Sequence, residues 1–320
     1  MAITLAQAKV GMANKVDIAV IDMLGRKSFL LDRLTFDDAV SPGTGGSTLT
    51  YGYLQLNTPS TAAVRNINSE YTATDAVKVQ KTADCAIMGG SYELDRVIIG
   101  TAGALNELEF QIDQKTTATA NLFHYLVING VKATHKFDGL NVLLASTENE
   151  FTSTVDVSTA ALAQTNANAL LDELDALVHS VEGGADVLLM NSKTLLKVRS
   201  VARAAGYYEK KEDAFGRAVE YFGGVPMLDL GKYYNGSTTV DCVATNASTG
   251  KADIYAVRFG LDGFCGFSPV GNKLVNIYTP DLTQPGAVKK GEVELVAGVA
   301  LKNTKAAAVL RGVKIQAASS

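Results

Sequence analysis

Two strand-like stretches, Ser47 to Asn57 and Val77 to Ile87, flank a polar stretch from Thr58 to Asp75, and no other feature constrains the fold as much. The first is rich in Thr, Tyr and Leu. In the second, Val77, Val79, Ala83, Cys85 and Ile87 point one way, while Lys78, Gln80, Thr82 and Asp84 point the other. A period of two is the mark of a strand with one covered face. Two long strands joined by a polar loop of about 18 residues form an extended hairpin, and a lone hairpin is marginal in water. This one must rest on something else. With so little sequence around it to supply a core, the expected cover is a neighbouring subunit.

The rest of the chain alternates helix and sheet. From Thr4 to Met23 a helical stripe runs through Leu5, Ala8, Met12, Val16, Ala19 and Met23, followed by the turn-rich Ser41-Pro-Gly-Thr-Gly-Gly46. Gly103 to Ile128 predicts a helix roughly 39 Å long at the usual rise, with Leu105, Leu108, Ile112, Phe123 and Leu126 on one face and Asn129-Gly130 as the stop. A strand is expected near Phe151 to Val155. Ser158 is placed to cap a helix carrying Leu170, Leu171, Leu174, Leu177, Val178 and Val181; Ser192 is placed to cap a second, carrying Leu195, Val198, Ala202 and Ala205. Between them Asp186 to Met190 reads as a short buried strand. Further strands are expected at Pro226 to Leu230, Ile254 to Phe259 and Lys273 to Thr279, and two closing strands carry Val293 to Leu301 and Ala307 to Ile315. The fold class is α+β, with a compact α/β unit in the middle.

At 320 residues the chain exceeds the size at which one core usually stops growing, so two domains are expected. A net charge of −4 lacks the cationic footprint of a protein that grips nucleic acid. The densest basic run, Lys193, Lys197, Arg199, Arg203, Lys210 and Lys211, is interrupted by Glu209, Glu212 and Asp213 and reads as a solvated or subunit-facing surface. Met1 to Asp17 shows no apolar core of a secretion signal, and no apolar run is long enough for a bilayer, so a cytosolic chain with no membrane partner is expected.

Catalytic, cofactor and metal sites are all expected to be absent. Cys85, Cys242 and Cys265 form no C-x-x-C pair, and His124, His135 and His179 have no second ligand at metal spacing. His124 and His179 fall on helices, where a packed or surface role is expected. The glycines at 43 to 46 lack the Lys-Ser/Thr ending of a phosphate loop. Glu107 and Glu109 lie two apart and face different directions, suited to a helix N-terminus.

The order of elements resembles the HK97-like capsid fold of tailed bacteriophages. Leu31-Asp-Arg-Leu-Thr-Phe-Asp-Asp38, Gly45-Gly-Ser-Thr-Leu-Thr-Tyr51, Gly89-Gly-Ser-Tyr-Glu-Leu-Asp-Arg96 and Tyr255-Ala-Val-Arg-Phe-Gly-Leu-Asp-Gly263 look like segments of major capsid proteins from phages and prophages of Gram-positive bacteria. The resemblance implies an N-terminal arm over 1–46 and an extended hairpin loop over 47–98. It implies a peripheral domain with a spine helix over 99–138 and 291–320, and an axial domain over 139–290. It also implies hexamers and pentamers in an icosahedral virion capsid around double-stranded DNA, assembled in the bacterial host's cytoplasm. A separate scaffolding protein and a portal protein at one vertex come with it. The hairpin residues Val77, Val79, Lys81 and Ile87 are the expected subunit interface. Some relatives join subunits by Lys–Asn bonds, for which Lys78 or Lys81 with Asn276 or Asn303 would be the candidates. Two other readings stay open: an encapsulin-type compartment with the same fold, and an enzyme using the α/β unit to bind a ligand.

Overall fold

A computed structural model of the chain describes residues 28–37, 49–58, 60–101, 107–133, 136–206, 209–212, 218–269 and 275–318. The expected helix of Thr4 to Met23, the glycine segment 41–46 and His135 lie outside the described residues.

A short helix, α1 (Phe29–Arg33), starts at Ser28, whose hydroxyl accepts the Leu31 amide at 3.0 Å. Strand β1 (Phe36–Asp37) follows, then the hairpin strands β2 (Thr50–Thr58) and β3 (Val77–Asp84). After Cys85 the chain runs on as β4 (Ala86–Asp95), a short α2 (Arg96–Thr101), and the long α3 (Glu107–Asn129). The second half of the expected hairpin is thus the start of a longer run with two successive partners, β2 first and another sheet afterwards.

Helix α3 buries Ile112 and Phe123, as its spacing predicts, but Thr116 and Thr119 fill the face between them. Each threonine hydroxyl donates to the carbonyl four residues back, at 2.7 and 2.8 Å, so it enters the core already satisfied. Leu108 and Leu126 are only partly covered.

A single-turn α4 (Leu140–Leu143) and β5 (Glu150–Thr152) lead into the central unit. Its first helix is two, α5 (Ala160–Thr165) and α6 (Ala167–Ser180), broken at Asn166. The cap is Thr159 and not Ser158, whose amide instead donates to Asp156. Strand β6 (Val187–Met190) is wholly buried, and α7 (Ser192–Ala204) is capped by Asn191 and not by Ser192. The Asn191 carbonyl takes the Thr194 amide at 2.8 Å, and its amide group donates to Val243 O, so one side chain serves two segments.

Next come β7 (Glu209–Glu212), β8 (Ala218–Phe222), β9 (Val225–Asp229), and a small hairpin of β10 (Lys232–Tyr234) and β11 (Thr239–Asp241). β12 (Thr245–Asn246), β13 (Lys251–Val257), β14 (Phe264–Phe267) and β15 (Val275–Tyr278) precede the longest strand, β16 (Val288–Leu301), and the last, β17 (Ala307–Lys314).

Two large sheets result. The five-stranded sheet runs β1-β14-β16-β15, with β4 also on β16. The larger runs β5-β17-β13-β6-β9-β8-β7, with β12 on β13. A 3-10 turn at Thr304–Ala306 carries the chain from β16 in the first to β17 in the second. Leu188, Met190, Ile254 and Ala256 pack with α5, α6 and α7 on one face of the larger sheet; Val187, Leu189, Tyr255 and Val257 join α1, α3, β4 and β16 on the other. Burial on both faces explains why β6 is apolar without alternation.

Arg311 on β17 knits this region together. Its Nε donates to Glu150 at 2.8 Å, Nη1 to Asp253 at 3.0 Å and Nη2 to Asn141 O at 3.0 Å. One guanidinium thereby joins α4, β5, β13 and β17 through its fixed fork of donors.

Candidate assembly surface

The hairpin has an anchored base and a free outer part. In the β2–β3 register Tyr51 faces Ala83, Tyr53 faces Lys81 and Gln55 faces Val79, so these six share one side of the ribbon. At the base, Tyr51, Tyr53, Ala83 and Cys85 form a core of their own with Cys265, Phe267, Val296 and Ala300. The Tyr51 hydroxyl donates to Asp37 Oδ2 at 2.7 Å, and Lys302 reaches the same oxygen at 3.3 Å. Gln55 Nε2 donates to Leu301 O at 3.1 Å, and Lys132 Nζ holds Thr82 O at 3.0 Å. The base therefore rests on this chain's own β14 and β16, which corrects the expectation that the whole hairpin depends on a neighbour.

Burial and the Asp37 carboxylate push the Tyr51 phenol far above its usual range, so it stays a donor. Burial likewise raises Tyr53 to about 12, Cys85 to about 12 and Cys265 to about 11. At neutral pH the two thiols are uncharged packing groups.

Beyond Gln55 the ribbon goes on carrying apolar residues, and these are exposed. Val77 and Val79 continue the docked side at 48% and 39% exposure, and Leu54 and Leu56 stand on the opposite side at 65% and 55%. Lys81 is exposed on the docked side across from Tyr53. Ile87 lies further on, in β4 opposite Val296, and is 57% exposed. Val77, Val79, Lys81 and Ile87 thus all face solvent in the isolated chain, spread over two strands. The aliphatic Leu54 and Leu56, which the sequence reading did not single out, make the ribbon apolar on both sides.

The tip is shaped by its own contacts. Thr61 and Thr74 join through their hydroxyls at 3.0 Å, Arg65 donates to Ser69 O at 3.2 Å, and Asn68 takes a left-handed φ of 65° in the turn. Val64, Ile67 and Tyr71 project from it, exposed.

His124, Lys193, Lys197, Arg199 and Asn303, among the remaining polar candidates, are held by structural contacts. His124 is buried, its Nε2 2.6 Å from Ser28 Oγ and its Nδ1 3.1 Å from Leu230 O. Because Leu230 O only accepts, Nδ1 carries the proton and Nε2 accepts from Ser28. Burial lowers its pKa to about 4. On α7, Lys197 donates to Ser158 O at 2.6 Å, Lys193 to Gln316 at 3.4 Å, and Arg199 pairs with Glu220. Asn303 caps the 3-10 turn and donates to Glu182 at 3.3 Å, while Asn276 sits in β15 opposite Glu294. Among the described residues no group of three or more His, Cys, Asp or Glu is arranged to hold a metal ion. No helix among them is long and apolar enough to cross a membrane. An open cavity of about 390 Å³ lies between Phe29, Arg33, Asp186, Tyr221 and Phe259, but Asp186 is engaged by the Phe259 amide at 2.8 Å.

No family model and no curated protein matches the sequence. Solved structures do match in shape. The encapsulin of the holo-SrpI complex from Synechococcus elongatus aligns with a TM-score of 0.58 at 15% identity, over 87% of this chain and 86% of that one. The capsid of a native GTA particle aligns at 0.54 and 12% identity, over 86% and 88%. A structure of Mycobacterium phage Bobi aligns at 0.53 and 13%, over 85% and 88%. What this chain has in common with them is a mixed α+β architecture along nearly the whole of its length. It is the HK97-like capsid fold.

Proposed function

We propose that this chain is the major capsid protein of a tailed bacteriophage, a non-enzymatic subunit that assembles into hexamers and pentamers of an icosahedral shell around double-stranded DNA. The observation that carries the reading is the outer hairpin, which holds Leu54, Leu56, Val77 and Val79 exposed to water beyond a base packed, among the described residues, on β14 and β16. A ribbon apolar on both sides gains its stability on contact with another surface. In a shell of identical subunits that surface belongs to another copy. The division into arm (1–46), extended loop (47–98), peripheral domain (99–138 and 291–320) and axial domain (139–290) belongs to the same proposal, with β17 of the closing stretch built into the larger sheet.

The charge balance supports enclosure of DNA without a grip on it: the net charge is −4, and Lys193, Lys197 and Arg199 are engaged within the chain. A separate scaffolding protein and a portal at one vertex complete the proposed assembly. The test is electron microscopy of the expressed protein, alone and with a candidate scaffolding protein. Closed shells with five- and six-fold clusters are expected with the scaffold; a monomer under every condition would refute the reading.

The encapsulin-type compartment is the second reading, favoured by the 0.58 TM-score with the holo-SrpI encapsulin. The length of the hairpin and the phage-like segments, Gly89 to Arg96 among them, favour the phage capsid. Native particles decide between the two: packaged DNA supports the phage capsid, and a protein cargo without DNA supports the compartment.

A further inference from the structure

The sequence holds two Asn-Gly pairs, Asn129-Gly130 and Asn235-Gly236, and the fold treats them in opposite ways. In such a pair the glycine nitrogen can attack the carbonyl carbon of the asparagine side chain, because glycine has no β-carbon to obstruct the approach. What decides the outcome is how the fold holds the attacking nitrogen and the side-chain amide.

Asn129-Gly130 is closed to this chemistry. The pair ends α3, where Gly130 is buried and its amide donates to Leu126 O at 2.8 Å. Asn129 Nδ2 donates to Tyr125 O at 3.3 Å and to Cys242 O at 2.6 Å. The nucleophile and the leaving group are both tied down.

Asn235-Gly236 forms the turn between β10 and β11, and every residue from Asn235 to Thr238 is exposed. Gly236 takes a left-handed φ of 94°, as Asn-Gly turns of this kind require. The Asn235 amide donates to Thr238 O at 3.1 Å, and the Tyr234 hydroxyl donates to Gly236 O at 2.8 Å. Among the described residues the Gly236 amide donates to no acceptor. Asn235 Oδ1, by contrast, accepts the amides of Ser237 at 3.0 Å and Thr238 at 2.8 Å. Two donors on that oxygen draw electrons from Cγ and stand where negative charge develops when Cγ is attacked.

We propose that Asn235 is a site of spontaneous modification in the folded chain, converted through a cyclic imide to aspartate and isoaspartate with water as the co-reactant. Gly236 N loses its proton to water and bonds to Asn235 Cγ, and the charge passes to Oδ1 under the two amides. The Cγ–Nδ2 bond then breaks, and the nitrogen takes up a proton from water and leaves as ammonia. Water opens the ring at either of its two carbonyls, giving aspartate, or isoaspartate with one more methylene in the backbone. Nothing is oxidised or reduced. Either product places a new carboxylate on this hairpin, whose Tyr233 ring meets Tyr125 of α3 at 5.2 Å. The inference does not depend on the shell-forming role.

The experiment holds the full-length protein at mildly alkaline pH, native and in urea, and reads its peptides by mass spectrometry. Isoaspartate is counted separately, by methyl transfer from an added isoaspartyl methyltransferase. In the native chain Asn235 is expected to lose its amide and gain isoaspartate while Asn129 stays intact. In urea the two pairs react alike. Asn235→Gln abolishes the native methylation signal and leaves thermal unfolding unchanged. Retention of the native Asn235 amide over the time in which urea converts it overturns the inference, as does native conversion of Asn129 at the same rate.

Discussion

Tyr51 stacks on Phe267 with ring centroids 4.9 Å apart and planes inclined by only 10°, across 216 residues of sequence. The pair fastens the hairpin to β14, and the Tyr51 hydroxyl adds a bond to Asp37. Tyr51→Ala removes a buried ring and leaves the Asp37 carboxylate one donor short. A destabilisation of about 3–4 kcal/mol is expected in denaturant unfolding. Tyr51→Phe keeps the stack, loses only the hydroxyl, and should cost about 1–2 kcal/mol.

Val79→Asp and Leu54→Asp test the two sides of the ribbon beyond the anchor. Both residues are substantially exposed, so the melting temperature of the isolated subunit should barely move. Assembly should fail in both. If Leu54→Asp assembles normally, only the side bearing Val77 and Val79 meets a neighbour.

His124 makes stability depend on pH in a defined window. Its folded pKa, about 4, lies below the ordinary 6.5, so the unfolded chain binds more protons between these values. The native state is then fully stable with respect to this group above pH 6.5. It loses stability as pH falls towards 4, by up to roughly 3 kcal/mol in all. His124→Gln should flatten that slope in urea titrations between pH 4 and 7; an unchanged slope would assign it to other groups.

Arg311 offers a test of geometry against charge. Arg311→Lys keeps the cation but cannot donate to Glu150, Asp253 and Asn141 together. A loss of roughly 2–3 kcal/mol is expected, nearly as large as for Arg311→Met, because carboxylates half-withdrawn from water lose their partners in both. Recovery of most of the stability by lysine would mean that charge alone matters.

Periodicity made the strands and the α/β unit legible, and the resemblance of a few segments made the overall architecture so. What escaped was set by distance or by chemistry that hides in polar letters. The hairpin's anchor lies in Asp37, Phe267, Leu301 and Lys302, and Gln55 meets Leu301 across 246 positions, beyond the reach of any local pattern. Thr116 and Thr119 read as a solvated stretch until their bonds to the helix's own backbone are seen. Thr159 and Asn191 cap their helices one position away from the serines expected, and all four are good capping residues, so sequence alone does not choose among them. Leu54 and Leu56 were in plain sight, alternating with Tyr53 and Gln55, and a count of both sides of β2 would have found them.

A ribbon that exposes aliphatic side chains on both sides, as Leu54, Leu56, Val77 and Val79 do, is also a hazard under the proposed assembly. Before assembly, two such ribbons can meet each other as readily as their proper seats, and strands of this kind seed disordered aggregates. Lys78 and Lys81, set among Val77, Val79, Leu54 and Leu56, place positive charge where like ribbons would stack. Under the proposed assembly, lysines so placed fit the role of gatekeepers that keep subunits apart until the correct surface is offered.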